Sequence, residues 1–90
     1  MPLYVRILLA TGPPGQVEEA SRGHLEQVAQ WRREGRLRTA GSFPRGDGFL
    51  EIFEAEDRLE ADRLAFSSPL VELGLVSAVL RPWVESPGED

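Results

Sequence analysis

The first residues of the chain alternate between two sides with a period of two. One side of positions 3 to 9 carries four aliphatic side chains: Leu3, Val5, Ile7 and Leu9. The other side carries Tyr4, Arg6 and Leu8. This alternation predicts a β-strand. The following Thr11–Gly15 segment is rich in glycine and proline, which predicts that the strand ends there.

From Gln16 to Glu34 the apolar positions recur at helical spacing instead. At about 100° per residue, one side of this helix collects mostly small and apolar side chains: Val17, Ala20, Ser21, His24, Leu25, Val28 and Trp31. Most of the charged residues take the opposite side. Gly35 follows two arginines, a pattern typical of a helix C-terminus. The one histidine of the chain, His24, is therefore expected to point inwards.

Two more strands are predicted at 38–43 and 48–54, joined by a hairpin whose Asp47-Gly48 pair is a favoured turn. A second helix opens at Asp57, with Glu60 three residues later in the pattern of a capping box.

The C-terminal part of the chain contains a short helix and a last strand. Ser68-Pro69 reads as the N-cap and first residue of one further helical turn, which Gly74 closes. The last strand is predicted at 75–84. Residues 85–90 form an acidic tail with nothing to bury, and we expect it to fray.

The order β-α-β-β-α-β predicts an α+β, ferredoxin-like domain over residues 1–84. In this fold a four-stranded antiparallel sheet carries both helices on one face. The third strand has Phe49 and Phe53 on one side and Leu50 and Ile52 on the other, so both sheet faces are apolar. A second copy of the chain is the simplest cover for the other face. The sequence therefore predicts a homodimer packed through its sheet faces.

The composition of the chain argues against several classes of function. The formal net charge of −5 argues against nucleic acid as a partner, because phosphate binding requires a basic surface. The chain has no cysteine and one histidine, so a metal site would need carboxylates or ligands pooled across subunits, and none is predicted.

No apolar run approaches the length of a membrane-spanning helix, and no secretory signal is readable, which favours the cytoplasm. All ten basic residues are arginines, a weak indication of a heat-adapted source.

Four fragments in order carry a family resemblance: His24 in the first helix, EGRLRTAG at 34–41, SPLVELGLV at 68–76 and LRPWV at 80–84. Together they resemble the YCII-related (YciI-like) family over about residues 3–84. The resemblance implies a dimeric α+β barrel of ferredoxin-like subunits. It also implies a suspected active site in which the helix-1 histidine works with the aspartate of a DP pair. One branch of that family removes chloride from a chlorinated hydroquinone.

The chain departs from the family pattern at the implied site. Ser68 stands where the family has aspartate, and the aGP motif becomes the segment 41–44. Serine keeps the helix N-cap but removes a negative charge that would stabilise a protonated imidazole. We therefore expect His24 to be a neutral acid/base or a hydrogen-bonding ligand contact, weaker in proton transfer than in its relatives. His24 and Ser68 could also form a base and nucleophile pair, but the sequence shows no orienting carboxylate or oxyanion feature for it.

These observations lead to three competing functions. The first is a cofactor-free enzyme acting on a small hydrophobic or aromatic metabolite, similar to a dehydrochlorinase or lyase. It would use His24 and Ser68 in a pocket between the first helix and the sheet. The second is a non-catalytic ligand-binding or accessory dimer that lacks the family aspartate. The third is another activity of dimeric α+β barrels, such as cofactor-free oxygenation or isomerisation.

Each candidate site residue also has a purely structural interpretation. His24 could be a core histidine bonded to a backbone carbonyl, and Ser68 an N-cap alone. Tyr4, Arg6 and Trp31 are candidate substrate contacts. Trp31 could equally be a core aromatic. Arg6 would be costly on a sheet face covered by a second copy unless it bound an anion or formed a salt bridge at the interface edge.

Overall fold

The computed structural model describes residues 1–87, so the last three positions of the predicted acidic tail lie outside the described residues. The elements follow one another as β1 (Leu3–Ala10), α1 (Pro14–Arg33), β2 (Leu37–Ser42), β3 (Gly48–Glu54), α2 (Arg58–Ala65), α3 (Pro69–Glu72) and β4 (Val76–Trp83). The predicted β-α-β-β-α-β order is confirmed, with α3 as the predicted extra turn. Most of the predicted boundaries shift by one or two residues.

The four strands form one antiparallel sheet in the order β2-β3-β1-β4. The central strand β1 pairs with both neighbours, and Arg6 lies opposite Glu51 on one side and Leu80 on the other. The helices cover one face of this sheet, because each of the two apolar clusters of the core combines side chains from the helices with side chains from the strands. The predicted ferredoxin-like α+β fold is therefore confirmed.

Helix α1 supplies the largest part of the helical layer. Its inward side buries Val17, Ala20, His24, Val28 and Trp31, which matches the predicted stripe. Leu25 departs from it, because it is 53% exposed at the edge of the stripe.

The ends of the two shorter helices are capped by side chains. Asp57 accepts a hydrogen bond from the backbone N–H of Glu60 at 2.9 Å, as an N-cap should. The Glu60 carboxylate accepts from Glu56 N–H at 2.7 Å rather than from the cap residue itself, so the capping box is shifted by one residue. Ser68 caps α3, and Gly74 ends that turn region with a positive φ of 68°.

The core consists of two apolar clusters between the helices and the sheet. One cluster centres on Tyr4, Trp31 and Phe53 and includes Ala61, Ala65 and Leu80. The other contains Leu8, Val17, Ala20, Phe49, Leu70 and Leu75. Arg6 and Glu51 lie between the two clusters along their strands, since their neighbours at i±2 belong to one cluster or the other. A charged pair therefore divides the hydrophobic core.

The face that the helices leave uncovered is rich in apolar side chains. By register it carries Leu3, Val5, Ile7 and Leu9 from β1, Leu50 and Ile52 from β3, and Val79 and Trp83 from β4, with Arg81 and Ser77 of β4 among them. Leu9, Val79 and Trp83 are 46%, 41% and 39% exposed. The sequence prediction was wrong about Arg6: β1 turns Tyr4 and Arg6 towards the helices, and it turns the aliphatic side chains towards the uncovered face.

Candidate functional site

Five polar side chains meet inside the core, and we call them the polar cluster: Arg6, His24, Gln27, Glu51 and Ser68. Arg6, His24 and Ser68 are fully buried, and Glu51 is 1% exposed. Strands β1 and β3 bring Arg6 and Glu51 side by side, α1 supplies His24 and Gln27, and the start of α3 supplies Ser68. Polar groups buried this deeply have to satisfy one another's hydrogen bonds.

His24 is bonded through both ring nitrogens. Its Nε2 lies 2.8 Å from Glu51 Oε2, and its Nδ1 lies 2.9 Å from Ser68 Oγ. The imidazole also packs against the ring of Phe49, with 4.4 Å between the ring centroids. The ring is thus fixed on three sides by groups of the protein.

The hydrogen-bond inventory assigns the proton of this imidazole to one nitrogen. The Glu51 carboxylate, which is paired with Arg6, can only accept, so Nε2 of His24 carries the hydrogen of that contact. In a neutral ring Nδ1 is then the acceptor for the Ser68 hydroxyl, whose oxygen also accepts from the backbone N–H of Leu70 at 3.2 Å. Every polar atom of this chain of contacts is satisfied by a neutral histidine.

Arg6 anchors the other oxygen of Glu51. Its Nε donates to Oε1 at 2.6 Å, and its Nη1 donates to Gln27 Oε1 at 2.9 Å and to the carbonyl of Ala65 at 2.8 Å. The guanidinium lies over the ring of Trp31, 4.4 Å from its centroid. Within residues 1–87, its Nη2 has no hydrogen-bond partner. Burial lowers the pKa of Arg6, and the charge and hydrogen bond of Glu51 oppose that shift.

Charges inside the polar cluster balance when His24 is neutral. The Arg6 cation and the Glu51 anion cancel, whereas a protonated imidazole would leave a net positive charge in the core. The sequence shows no orienting carboxylate for His24, and the structure supplies one in Glu51 from β3. The sequence contains a signal for this pair. Glu51 alternates with two core aromatics, just as Arg6 sits between Tyr4 and Leu8, so each strand places one charge on its buried face.

A groove lies beside the polar cluster, between α1 and the β2–β3 hairpin. It consists of a cavity of about 690 Å³ and a smaller one of about 220 Å³, which share the lining residues Leu25, Ser42 and Phe49. Glu51 lines the smaller cavity, together with Val28, Arg32, Ala40 and Gly41. His24 lines neither cavity, and the ring of Phe49, which lines both, packs against it. Glu51 is therefore the member of the polar cluster that meets the groove.

The structure sorts the predicted site residues into two groups. His24, Ser68 and Arg6 come together in the polar cluster, and Arg6 pairs there with Glu51 rather than at an interface edge. Tyr4 and Trp31 pack in the apolar core around Phe53 and line neither cavity of the groove.

Sequence reasoning missed Glu51 and Gln27. Gln27 accepts a hydrogen bond from Arg6 and donates one to the hydroxyl of Ser67 at 2.7 Å, and so links α1 to the end of α2.

The part of the chain that the structure describes contains no group of three or more His, Asp or Glu side chains arranged to hold a metal ion. No helix within residues 1–87 is long and apolar enough to cross a bilayer.

Solved structures share the ferredoxin-like α+β fold of this chain. No family model and no curated protein matches the chain. The structure is similar to 5-chloro-2-hydroxyhydroquinone dehydrochlorinase (TftG) from Burkholderia phenoliruptrix AC1100, solved in complex with 2,5-dihydroxybenzoquinone. That match has a TM-score of 0.66 at 18% identity and covers 93% of this chain and 95% of the other.

Two further solved structures share this fold. An antibiotic biosynthesis monooxygenase matches with a TM-score of 0.64 at 16% identity, over 97% of this chain and 100% of the other. SnoaB, a cofactor-independent oxygenase from Streptomyces nogalater, matches with a TM-score of 0.53 at 10% identity, over 97% of this chain and 94% of the other. At these identities the likeness establishes the fold.

Proposed function

We propose that this protein is a small cofactor-free enzyme that moves a proton on a small apolar molecule bound in the groove. The observation that carries the proposal is the contact of 2.8 Å between His24 Nε2 and Glu51 Oε2 beside that groove. A histidine and a carboxylate in hydrogen-bond contact are the usual parts of acid/base catalysis. Buried titratable groups next to a cleft are the default candidates for an active site.

The shape and lining of the groove fit a small, largely apolar ligand. Its walls include Val17, Leu25, Val28 and Phe49, and its mouth carries Arg32 and Arg45. The combined space of the two cavities lies in the range of natural small-molecule sites, about 300–1,000 Å³. An apolar wall excludes water around the carboxylate, which strengthens its interaction with a bound proton donor.

The finer assignment follows the resemblance to the YCII-related family, which implies a dehydrochlorinase- or lyase-like reaction centred on the helix-1 histidine. The similar structures include a dehydrochlorinase, solved with 2,5-dihydroxybenzoquinone, and a cofactor-independent oxygenase. Ser68 replaces the family aspartate, yet Glu51 restores one carboxylate contact to the histidine. We therefore propose that His24 supports proton transfer through its contact with Glu51 rather than with an aspartate before Pro69.

We also propose that the working form is a homodimer built through the uncovered sheet face. Three large side chains of that face, Leu9, Val79 and Trp83, keep 39–46% of their surface exposed in one copy. An apolar surface of this kind is typical of a protein–protein interface. The cytoplasmic location and the heat-adapted source stay predictions from composition.

Deuterium exchange tests the enzymatic proposal without a known product. The protein is incubated in D₂O with a panel of aromatic ketones and hydroxylated aromatics, and uptake of deuterium at carbon is followed by NMR. His24→Ala is expected to slow any enzyme-dependent exchange by about 100-fold or more. Gln30→Ala, on the exposed side of the same helix, is the matched control and should keep the full rate. An unchanged rate in His24→Ala would contradict the proposal.

A second candidate is a binding dimer without catalysis. It is favoured by the full burial of His24, whose two ring nitrogens are already occupied by protein groups. In that case, panel members cause chemical-shift changes in the groove while none exchanges deuterium. The same NMR experiment therefore separates the two functions.

A further inference from the structure

One member of the polar cluster lines the groove. All of Arg6, His24, Glu51 and Ser68 are buried, but Glu51, at 1% exposure, forms part of the wall of the smaller cavity, and the other three line neither cavity. Each Glu51 oxygen accepts one hydrogen bond from the protein, from Arg6 or from His24. A carboxylate oxygen can accept two, so each Glu51 oxygen keeps the capacity for one further hydrogen bond at the wall of the groove.

We propose that Glu51 is the catalytic carboxylate of this site, and that His24 and Arg6 are positioning residues that act through it. This inference rests on the proposed function and names the atom at which its chemistry occurs. Nε2–H of His24 donates to Glu51, so the imidazole has no lone pair facing the groove. The available base is therefore the carboxylate itself.

The proton transfer is balanced within the site. The bond between the acidic hydrogen and its atom in the ligand breaks, and the electron pair stays on the ligand. A new O–H bond forms on Glu51, and the negative charge moves from the carboxylate to the ligand. Arg6 and His24 keep their hydrogen bonds to Glu51, and the reverse step returns the proton to the ligand. No co-reactant is required.

This geometry predicts which ligand end docks at the smaller cavity. A hydrogen-bond donor is attracted to the free lone pairs of Glu51, whereas an anionic end meets a like charge. The cation that lines the same cavity is Arg32, which is exposed on α1. A site that binds an anion would have to use Arg32 instead of Glu51. The relative affinities for a neutral hydrogen-bond donor and for an anion therefore distinguish the two residues.

The test uses three matched probes: 4-ethylphenol, 4-ethylanisole and 4-ethylbenzoate. Their affinities are measured by titrating the amide spectrum of the full chain, with the signals of Ala40, Gly41 and Ser42 as reporters of the smaller cavity. We expect 4-ethylphenol to bind about tenfold or more tightly than the other two probes, as a hydrogen bond to a charged acceptor provides.

Variants identify the acceptor. Glu51→Gln is expected to abolish the preference for 4-ethylphenol. Glu26→Gln, which removes an exposed carboxylate of α1 that lines neither cavity, is expected to keep it. Glu51→Asp retains the charge and serves as the second variant if Glu51→Gln fails to fold; it should keep part of the preference. The single histidine adds a readout: the ¹⁵N signal of Nε2 should move when 4-ethylphenol binds to the wild-type protein.

Three results would overturn the inference. One is a preference for 4-ethylphenol that persists in Glu51→Gln, and another is equal binding of 4-ethylphenol and 4-ethylanisole. The third is tighter binding of 4-ethylbenzoate that Arg32→Ala removes. In all three cases a small molecule still occupies the groove, so the proposed function stands without Glu51 as its base. If no probe binds in the groove, the inference and the proposed function fail together.

Discussion

Replacing Glu51 by glutamine removes one charge from the core while it keeps the shape of the side chain. The amide oxygen can accept from Nε of Arg6, and the amide N–H can donate to Nε2 of His24. This requires the histidine proton to move to Nδ1, from which it can donate to Ser68 Oγ. The hydrogen bonds are thereby preserved, and the cation of Arg6 loses its counter-ion.

The burial of the pair determines the size of the effect. Arg6 and Glu51 have side-chain exposures of 0% and 1%, so solvent provides almost no screening. Removing one partner of a buried ion pair costs about 3–5 kcal/mol. Because the glutamine keeps its hydrogen bonds, we expect the lower end, about 3 kcal/mol. A domain of this length has about 5–13 kcal/mol of stability. The melting temperature should therefore fall by about 12–24 °C.

Chemical unfolding followed by circular dichroism measures this loss. A double-mutant cycle with Arg6→Met supplies the control, because the double variant has no charge left to bury. We expect each single variant to lose about 3 kcal/mol and the double variant to lose clearly less than the sum. A loss below about 1 kcal/mol in Glu51→Gln would refute the reasoning, and so would additive losses.

Three further predictions follow from local contacts. Ser68→Ala removes the N-cap of α3 and the partner of His24 Nδ1, so it should cost about 2 kcal/mol in chemical unfolding; no loss would contradict both roles. Gly48→Ala should cost about 3 kcal/mol, because a Cβ there would collide with the carbonyl oxygen of Leu8. Its control, Gly15→Ala in α1, has open space and should gain about 0.5–1 kcal/mol. Val79→Arg should shift the proposed dimer to monomers in sedimentation velocity; an unchanged dimer would place the interface elsewhere.

The order of the elements follows from local patterns alone. Alternation in 3–9, helical spacing in 16–34 and the cap residues at Asp57 and Ser68 each act over a few residues, so the sequence displays them directly. Local patterns do not determine which side of a strand packs against the helices. Both sides of β1 are rich in apolar residues, so alternation could not decide that Tyr4 and Arg6 face the helices.

For the same reason, the sequence alone predicts only part of the candidate site. His24 and Ser68 were predicted because a histidine on an inward helix face and a serine before proline are visible locally. Glu51 comes from a strand 27 residues away from His24, and only the fold brings the two together. The mirrored placement of Arg6 and Glu51 between core residues indicates a buried pair once β1 and β3 are known to be neighbours. Their register is a property of the sheet, not of either strand alone.

The protonation state of His24 tests the central claim most directly, because the chain has one histidine and its ring signals need no assignment among others. A long-range ¹H–¹⁵N spectrum of the protein at pH 7 distinguishes the three forms of the imidazole. We predict a neutral ring with the hydrogen on Nε2 and a bare Nδ1, in which His24 donates to the Glu51 carboxylate. A hydrogen on Nδ1 with a bare Nε2, or a doubly protonated ring, would contradict that arrangement.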